Sequence, residues 1–309
     1  SSDVCSSDLS MIDRSNIASK LWPGVLAHWG MAYQDYQSQW VDLFDTMTSS
    51  KAYEELQGEY GFGLASMKDP GAPVRYDEAG ETWQSRFTHE AYALGFIVTR
   101  EAVKDNLYAD LIPKYTTALK RSMHMTREIL SAAIYDRATN GSYTGGDGQP
   151  LGSASHPLRS GGTLSNLGTD ADLNETSLEA AYIDIADWTD ERGLRINARA
   201  KRMVIANGNQ FTAYRLLNSE RRPGTADNDP NASRSMSMLP GGFSVNNYLT
   251  ARSSWYLRTD VPYGMIAFNR EALDIQQGDG LDNQVMKVLA YERYSQGWND
   301  PRGIFVTAG

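Results

Sequence analysis

Residues 113–138, PKYTTALKRSMHMTREILSAAIYDRA, are the stretch on which the architecture turns. Val103, Leu107, Leu111 and Tyr115 recur every four residues. Leu119, Met123, Ile129, Leu130, Ala133 and Ile134 continue the same stripe, which marks one apolar helix face. Pro113 lacks the N–H that an interior helical position needs, but the first turn tolerates it. The pattern therefore predicts a short helix after residue 100 and a long one starting near Pro113 and ending by about residue 139. At 1.5 Å per residue the second piece spans roughly 38 Å, long enough to act as a spine.

Upstream the period changes to two. Trp83, Ser85, Phe87, His89 and Ala91 alternate with Gln84, Arg86, Thr88 and Glu90, and Tyr60, Phe62 and Leu64 alternate with glycines. Between them lies KDPGAPVRYDEAGE (68–81), whose Pro, Gly and charge predict the tip of an extended hairpin. A two-stranded ribbon is marginal alone, so this one implies a surface to lie on. Residues 11 to about 50 carry spaced aromatics, with Tyr33, Tyr36, Trp40 and Phe44 at helical spacing and little other apolar bulk. Such an arm also needs a partner, the competing reading being an ordinary core helix.

Downstream, 140–174 is rich in Gly, Ser and Thr and reads as a long loop. Thr176-Ser-Leu-Glu179 has the form of a capping box, and Leu178, Ala181, Tyr182, Ile185 and Trp188 form a helical stripe that Gly193 would end. Met203–Ala206 reads as a buried strand, and Phe211, Tyr214 and Leu217 as a helix stopped by Pro223-Gly224. A charged loop, 225–234, precedes short strands from Leu239 to Phe268, with a turn at 240–242. Val285–Val306 reads as a strand pair joined at Asn299–Gly303. Helices and strands come in blocks without βαβ alternation, which defines an α+β class.

Composition sets outer bounds. The chain has 309 residues, 41% hydrophobic and 22% charged, which excludes wholesale disorder. No apolar run approaches the roughly 20 residues that span a bilayer, and no membrane role is expected. Asp3 to Leu9 resemble the translation of a sequencing-library adapter, so residues 1–10 are read as a non-native leader and Met11 as the natural start. That start removes Cys5, the single cysteine, and moves the net charge from −9 to −7 by removing Asp3 and Asp8. An acidic balance argues against a protein whose main task is gripping nucleic acid.

A search for chemistry finds no catalytic constellation. His28, His89, His124 and His156 form no HExxH, and there is no G-x-S-x-G elbow or Walker A loop. Gly58, Gly61 and Gly63 do not open a helix as a dinucleotide fingerprint would. Asp170, Asp172 and Glu175 form an acidic group that either holds a metal or supplies charge ahead of a helix N-terminus. Arg192, Arg195, Arg199, Lys201 and Arg202 are the one basic concentration, facing DNA, a neighbour, or only solvent. Asn140-Gly-Ser and Asn231-Ala-Ser match the glycosylation triplet without any sign of secretion. No cofactor and no metal is expected.

The order of blocks (arm, hairpin, spine helix, Gly-rich loop, mixed region, returning strands) resembles the major capsid protein of tailed bacteriophages, the Hong Kong 97-like fold. Two stretches sharpen the likeness. Asp147-Gly-Gln-Pro-Leu-Gly-Ser-Ala-Ser-His-Pro157 is similar to a loop of Mu-like major head proteins. Glu292-Arg-Tyr-Ser-Gln-Gly-Trp-Asn-Asp-Pro-Arg-Gly303 is similar to the closing strand and turn of many phage capsid proteins. The resemblance implies an N-terminal arm over 11–56 and an extended loop over 57–99. It implies a peripheral domain over 100–174 and 281–309, and an axial domain over 175–280. It implies a structural, non-enzymatic subunit that self-assembles through hexameric and pentameric capsomers into an icosahedral shell around phage double-stranded DNA. Expected partners are a separate scaffold protein and the portal, with packaged DNA touched only non-specifically. The expected location is the virion capsid, and the host bacterial cytoplasm during assembly.

The resemblance makes Trp29, Tyr33, Tyr36, Trp40, Lys68, Arg75, Tyr76, Trp83, Arg86, Asp300 and Arg302 candidates for subunit interfaces. With Met11 as the start, no fused scaffold is expected. Some relatives crosslink a loop lysine to a neighbour's asparagine; Lys68 is placed for this, but no acceptor is identifiable here. The alternatives are another phage virion structural protein, or a metal-dependent hydrolase using Asp170, Asp172, Glu175 and His156.

Overall fold

The computed structural model describes residues 37–99, 111–221, 229–280 and 285–307. In chain order the strands are β1 (Asp45–Thr48), β2 (Tyr53–Tyr60), β3 (Gly80–Thr88), β4 (Glu90–Thr99), β5 (His156–Pro157) and β6 (Thr163–Leu164). They continue as β7 (Ala200–Ala206), β8 (Phe243–Asn246), β9 (Trp255–Thr259), β10 (Met265–Gly280), β11 (Val285–Trp298) and β12 (Ile304–Thr307). The helices are α1 (Leu111–Asp136), α2 (Glu175–Ala186), α3 (Gln210–Asn218) and α4 (Ala232–Ser235). The chain divides into two compact units.

One unit contains His89–Arg127 and Asn269–Tyr294. Here β4 pairs antiparallel with β11 in unbroken register from Val285↔Thr99 to Tyr294↔Glu90. Leu119 and Met123 of α1 bury against Val288 and Ala290, with Tyr92, Phe96 and Ile275 half-covering them. Tyr92 and Tyr294 stack at 4.7 Å, and the Arg127 guanidinium lies 4.5 Å from the Tyr294 ring centre. Glu292 is buried with Arg127 4.0 Å away. Burial pushes its carboxyl above the usual range, and Arg127 only partly opposes that.

The other unit contains Gln39–Thr88, Glu128–Phe268 and Ser295 onward. Its sheet has the order β12-β9-β7-β8. Period-two alternation lets β7 feed two cores. Val204 and Ala206 join Trp40, Leu43, Phe44, Tyr135 and Met265, whereas Met203 and Ile205 join Leu178, Ile185, Trp188, Trp255 and Phe305. A sheet covered on both faces reads as continuous apolar sequence, as Met203-Val-Ile-Ala206 does. In the same unit β2 and β3 form a separate two-stranded ribbon, Tyr53↔Thr88 to Tyr60↔Gly80, with residues 61–79 as its long tip.

Several local expectations need correction. β7 and β8 run parallel with α3 and α4 between them, so one crossover of the βαβ kind is present; four residues of β8 were too few to signal it. The helical spacing through Trp40 and Phe44 is not a helix. Trp40–Asp42 is a 3-10 turn leading into β1, and the shared face is the inward face of that turn and strand. Helix α2 is capped by Asn174 with Ser177 rather than by Thr176 with Glu179. The φ of +84° at Gly193 belongs to a later turn, because α2 ends at Ala186. Phe211 and Tyr214 lie on the exposed face of α3, while Ala213 and Leu216 are buried. The closing strands do not pair with each other: β11 pairs β4 and β12 pairs β9, because the 3-10 turn at Pro301–Gly303 redirects the chain. Finally, 140–174 is not merely a solvated loop, since Leu151, His156, Leu164 and Asn166 are buried in it.

The spine helix is present as α1, with Pro113 in its first turn. The end of the expected 225–234 loop forms the start of α4, whereas its residues 225–228 and the short helix expected after residue 100 lie outside the described residues. So do residues 1–36, and with them Trp29, Tyr33 and Tyr36.

Candidate functional site

The two stretches 147–157 and 292–303 meet at one side chain, Asn166. Its Nδ2 donates to Leu151 O at 2.7 Å, Pro301 O at 2.8 Å and Ile304 O at 3.2 Å. Its Oδ1 accepts from Ser153 N at 2.9 Å and faces His156 Nε2 at 3.0 Å. His156 Nδ1 lies 2.5 Å from Asp147 Oδ2, and both side chains are buried. A loop with few large apolar residues is thus stitched down by polar groups, each paid with a partner, as buried polar groups require. Two glycines allow the close packing. A Cβ on Gly146 would meet Gln84 O at 2.8 Å and Ser85 Oγ at 2.9 Å, and one on Gly145 would meet Trp298 Nε1 at 2.6 Å.

His156 is therefore committed on both ring nitrogens. Asp172 acts through its backbone carbonyl in the cap of α2, accepting from Asn174 Nδ2 and Ser177 Oγ. Among the described residues no group of three or more His, Cys, Asp or Glu is arranged to hold a metal ion. No helix among them is long and apolar enough to cross a membrane.

A second node lies where the β2–β3 ribbon ends and the hairpin tip begins. The turn 190–194 is rigid: Asp190 Oδ1 accepts from Arg192 N at 2.9 Å and Leu194 N at 2.8 Å. Glu191 is buried against Arg302 at 2.7 Å and also accepts from Arg159 N. Arg302 donates further to Thr189 O and approaches Asp300 at 3.3 Å. From this turn Arg192 reaches Asp77 at 3.1 Å and the Glu78 carbonyl. Asp77 also accepts from Gly63 N at 2.7 Å. The Gly63 and Glu78 amides, and then Arg192, hold its carboxyl below the usual carboxylate range. Tyr60 is covered by two guanidiniums, Arg159 at 4.5 Å and Arg192 at 5.2 Å from its ring centre.

The interface candidates divide by location. Lys68, Arg75 and Tyr76 are exposed on the hairpin tip, Tyr76 at 91%, among the also exposed Phe62, Leu64, Met67 and Val74. Arg86 is exposed and stacks on Tyr53 at 3.7 Å. Trp83 is half-buried and donates to Asn299 O at 3.0 Å. Trp40, Asp300 and Arg302 sit differently from the exposed tip: Trp40 is in the unit's own core, Asp300 bonds Arg302 N, and Arg302 is buried.

The basic run is spread over several acidic partners. Arg192 goes to Asp77, Arg195 to Asp187, Lys201 to Asp45 and Arg202 to Asp42, while the Arg199 backbone N–H donates to Asp260. The acidic partners are remote in sequence except Asp187, so the run looked concentrated only in one dimension. Asn166, Glu191, Tyr60 and Asp77 were missed. Their one signal was that a long loop and a long ribbon need internal partners for their polar groups.

Residues 83–307 match the family model described as phage capsid protein. No curated protein matches the chain. Among solved structures, a protein of Mycobacterium phage Bobi is similar with a TM-score of 0.56 and 14% identity, over 96% of this chain and 98% of that one. A chain of the capsid structure of cyanophage P-SCSP1u is similar with a TM-score of 0.57 and 12% identity, over 92% of each. A chain of the mature capsid of bacteriophage PhiM1 is similar with a TM-score of 0.54 and 8% identity, over 89% of this chain and 88% of that one. These likenesses carry the fold, the family model carries the kinship across most of the chain, and the protein belongs to the phage capsid protein family.

Proposed function

We propose that the chain is the major capsid subunit of a tailed phage with a Hong Kong 97-like fold, related to the Mu-like head proteins. It assembles through hexameric and pentameric capsomers into an icosahedral shell around double-stranded DNA. The observation that carries this reading is the hairpin tip. Phe62, Leu64, Met67, Val74 and Tyr76 are 58–93% exposed on one ribbon. Monomeric proteins rarely display such a run of large apolar side chains, which acquires a core only when another subunit supplies it. Repeated non-closing contacts between identical subunits then build a closed shell.

In this reading 11–56 is the arm, 57–99 the extended loop, 100–174 with 281–309 the peripheral domain, and 175–280 the axial domain. Because Trp40, Leu43 and Phe44 are buried in the same unit, the part of the arm that reaches a neighbour would end near Gln39. Lys68, Arg75, Tyr76 and Arg86 are its interface residues, with Trp29, Tyr33 and Tyr36 on the arm. Scaffold and portal are its assembly partners, in the host cytoplasm, and its role is structural rather than catalytic.

Negative-stain electron microscopy of protein expressed from Met11, with its size distribution in solution, tests this reading. Shells, tubes or five- and six-fold rings are expected. A monomer that resists protease throughout the hairpin tip at high concentration would overturn it.

A further inference from the structure

The contacts at the base of the hairpin tip point to a latch. We propose that Arg192, with Arg159, fixes the direction in which the hairpin tip, 61–79, leaves the end of the β2–β3 ribbon. The ribbon itself is packed on the unit through Phe87, Leu56 and Trp83, whereas the tip beyond it meets its support through very few groups. Its incoming strand ends at Tyr60, and the two guanidiniums close over that ring. Its outgoing side passes Asp77 and Glu78, and the same Arg192 binds both, the first through its carboxylate and the second through its carbonyl. Asp77 in turn ties back to Gly63 N, so one arginine joins the two sides of the tip at its base. A planar five-donor fork can serve a carboxylate, a carbonyl and a ring face together; an ammonium cannot.

The support on which the latch sits does not yield. Glu191, adjacent to Arg192, is buried against Arg302, and Arg302 is further held by Thr189 O and Asp300. Arg192's own N–H is fixed by Asp190. Between this support and the end of the ribbon lies open space: Glu59, Tyr60 and Gly61 share a cleft of about 340 Å³ with Asp190, Glu191 and Arg302. Beyond Tyr60 the large apolar side chains Phe62, Leu64, Met67, Val74 and Tyr76 are exposed, so apolar packing does not wedge the tip in place. The tip is held by partly exposed charge, with the Arg192 and Asp77 side chains 22% and 33% accessible, while the support is held by buried charge. Exposed ion pairs are screened by salt and buried ones much less, so the tip can be released without disturbing the subunit beneath it.

The test is read inside one subunit and does not depend on whether the chain assembles. In a Cys5→Ser background, spin labels at Lys68→Cys and Glu179→Cys report the distance from the tip to the surface of α2 in the unassembled full chain. A single narrow distribution is expected for the otherwise unaltered protein. Arg192→Ala and Asp77→Asn should each broaden it, with Arg192→Lys between them, and protease cleavage within 61–79 should rise about five-fold. The denaturation midpoint should stay in place, which a general structural role for Arg192 would not allow. Molar salt should broaden the unaltered protein in the same way. Distributions that remain narrow in both Arg192→Ala and Asp77→Asn would overturn the latch, as would one already broad before any change. Arg192→Ala failing to fold would not shelter the idea, because Asp77→Asn alters only the exposed partner and reads the same distance.

Discussion

Replacing Asn166 should unpin the closing strand. Asn166→Ala removes the donor that Leu151 O and Pro301 O share and the acceptor that Ser153 N uses, all in the protein interior. An unsatisfied buried backbone group costs roughly 1–3 kcal/mol, and partial relaxation should recover some of that, leaving a loss of about 3–5 kcal/mol. In a chain of this size each kcal/mol lowers the melting temperature by about 2–4 °C, so a fall on the order of 10 °C is expected. Asn166→Asp separates hydrogen bonding from packing because it preserves shape. It keeps the acceptor for Ser153 N but turns an oxygen toward three carbonyl oxygens, so it should be at least as destabilising as alanine at neutral pH. A protonated carboxyl could donate once, so part of the loss should return in acid. Urea denaturation of dissociated subunits, with amide exchange over 301–307, measures both. If Asn166→Asp stays within about 0.5 kcal/mol of the parent at pH 7, the role given to this side chain is wrong.

Three further outcomes follow from the same geometry. Arg302→Met should cost about 3–5 kcal/mol by stranding buried Glu191, and Arg302→Met with Glu191→Met should recover much of it in a double-mutant cycle of denaturation free energies. Glu292 has a raised folded-state pKa, so the folded state holds its proton more tightly than the unfolded state. Its contribution is therefore most favourable in acid and is lost as pH rises above about 4.5 through the raised value; the stability of Glu292→Gln relative to the parent should climb over that window and stay flat below it. Gly146→Val should cost about 1–3 kcal/mol, seen as a lower urea midpoint, because its Cβ would press on Gln84 O and Ser85 Oγ.

How much of this was legible in the sequence follows the range of the signal. The long helix α1 and the outgoing strand β3 are periodic over several residues and lie where the spacing put them, whereas the incoming strand β2 ends at Tyr60, where the alternation with glycines was read as beginning it. The stripe through Leu178, Ala181, Tyr182 and Ile185 was legible for the same reason, although the cap that starts it lies at Asn174 rather than Thr176. Short elements were not legible. The parallel β7–β8 pair depends on four residues brought back by a crossover, and Trp40-Val-Asp-Leu-Phe44 satisfies a helical spacing while forming a 3-10 turn. The polar nodes were least legible of all. Nothing near Asn166 in sequence announces carbonyls at 301 and 304, and Arg192 looked like a member of a basic run until Asp77, 115 residues away, supplied its partner. Local patterns encode faces, whereas such pairings exist only after the chain has folded.

The central claim is that the hairpin tip obtains its core from another copy of this chain. A cryo-electron-microscopy reconstruction of particles formed by the protein tests it most directly. The account predicts icosahedral shells in which residues 61–79 lie on a neighbouring subunit, with Phe62, Leu64, Met67, Val74 and Tyr76 covered there. Shells in which this tip stays in solvent or folds onto its own subunit would contradict it, as would a protein that forms no ordered assembly at all.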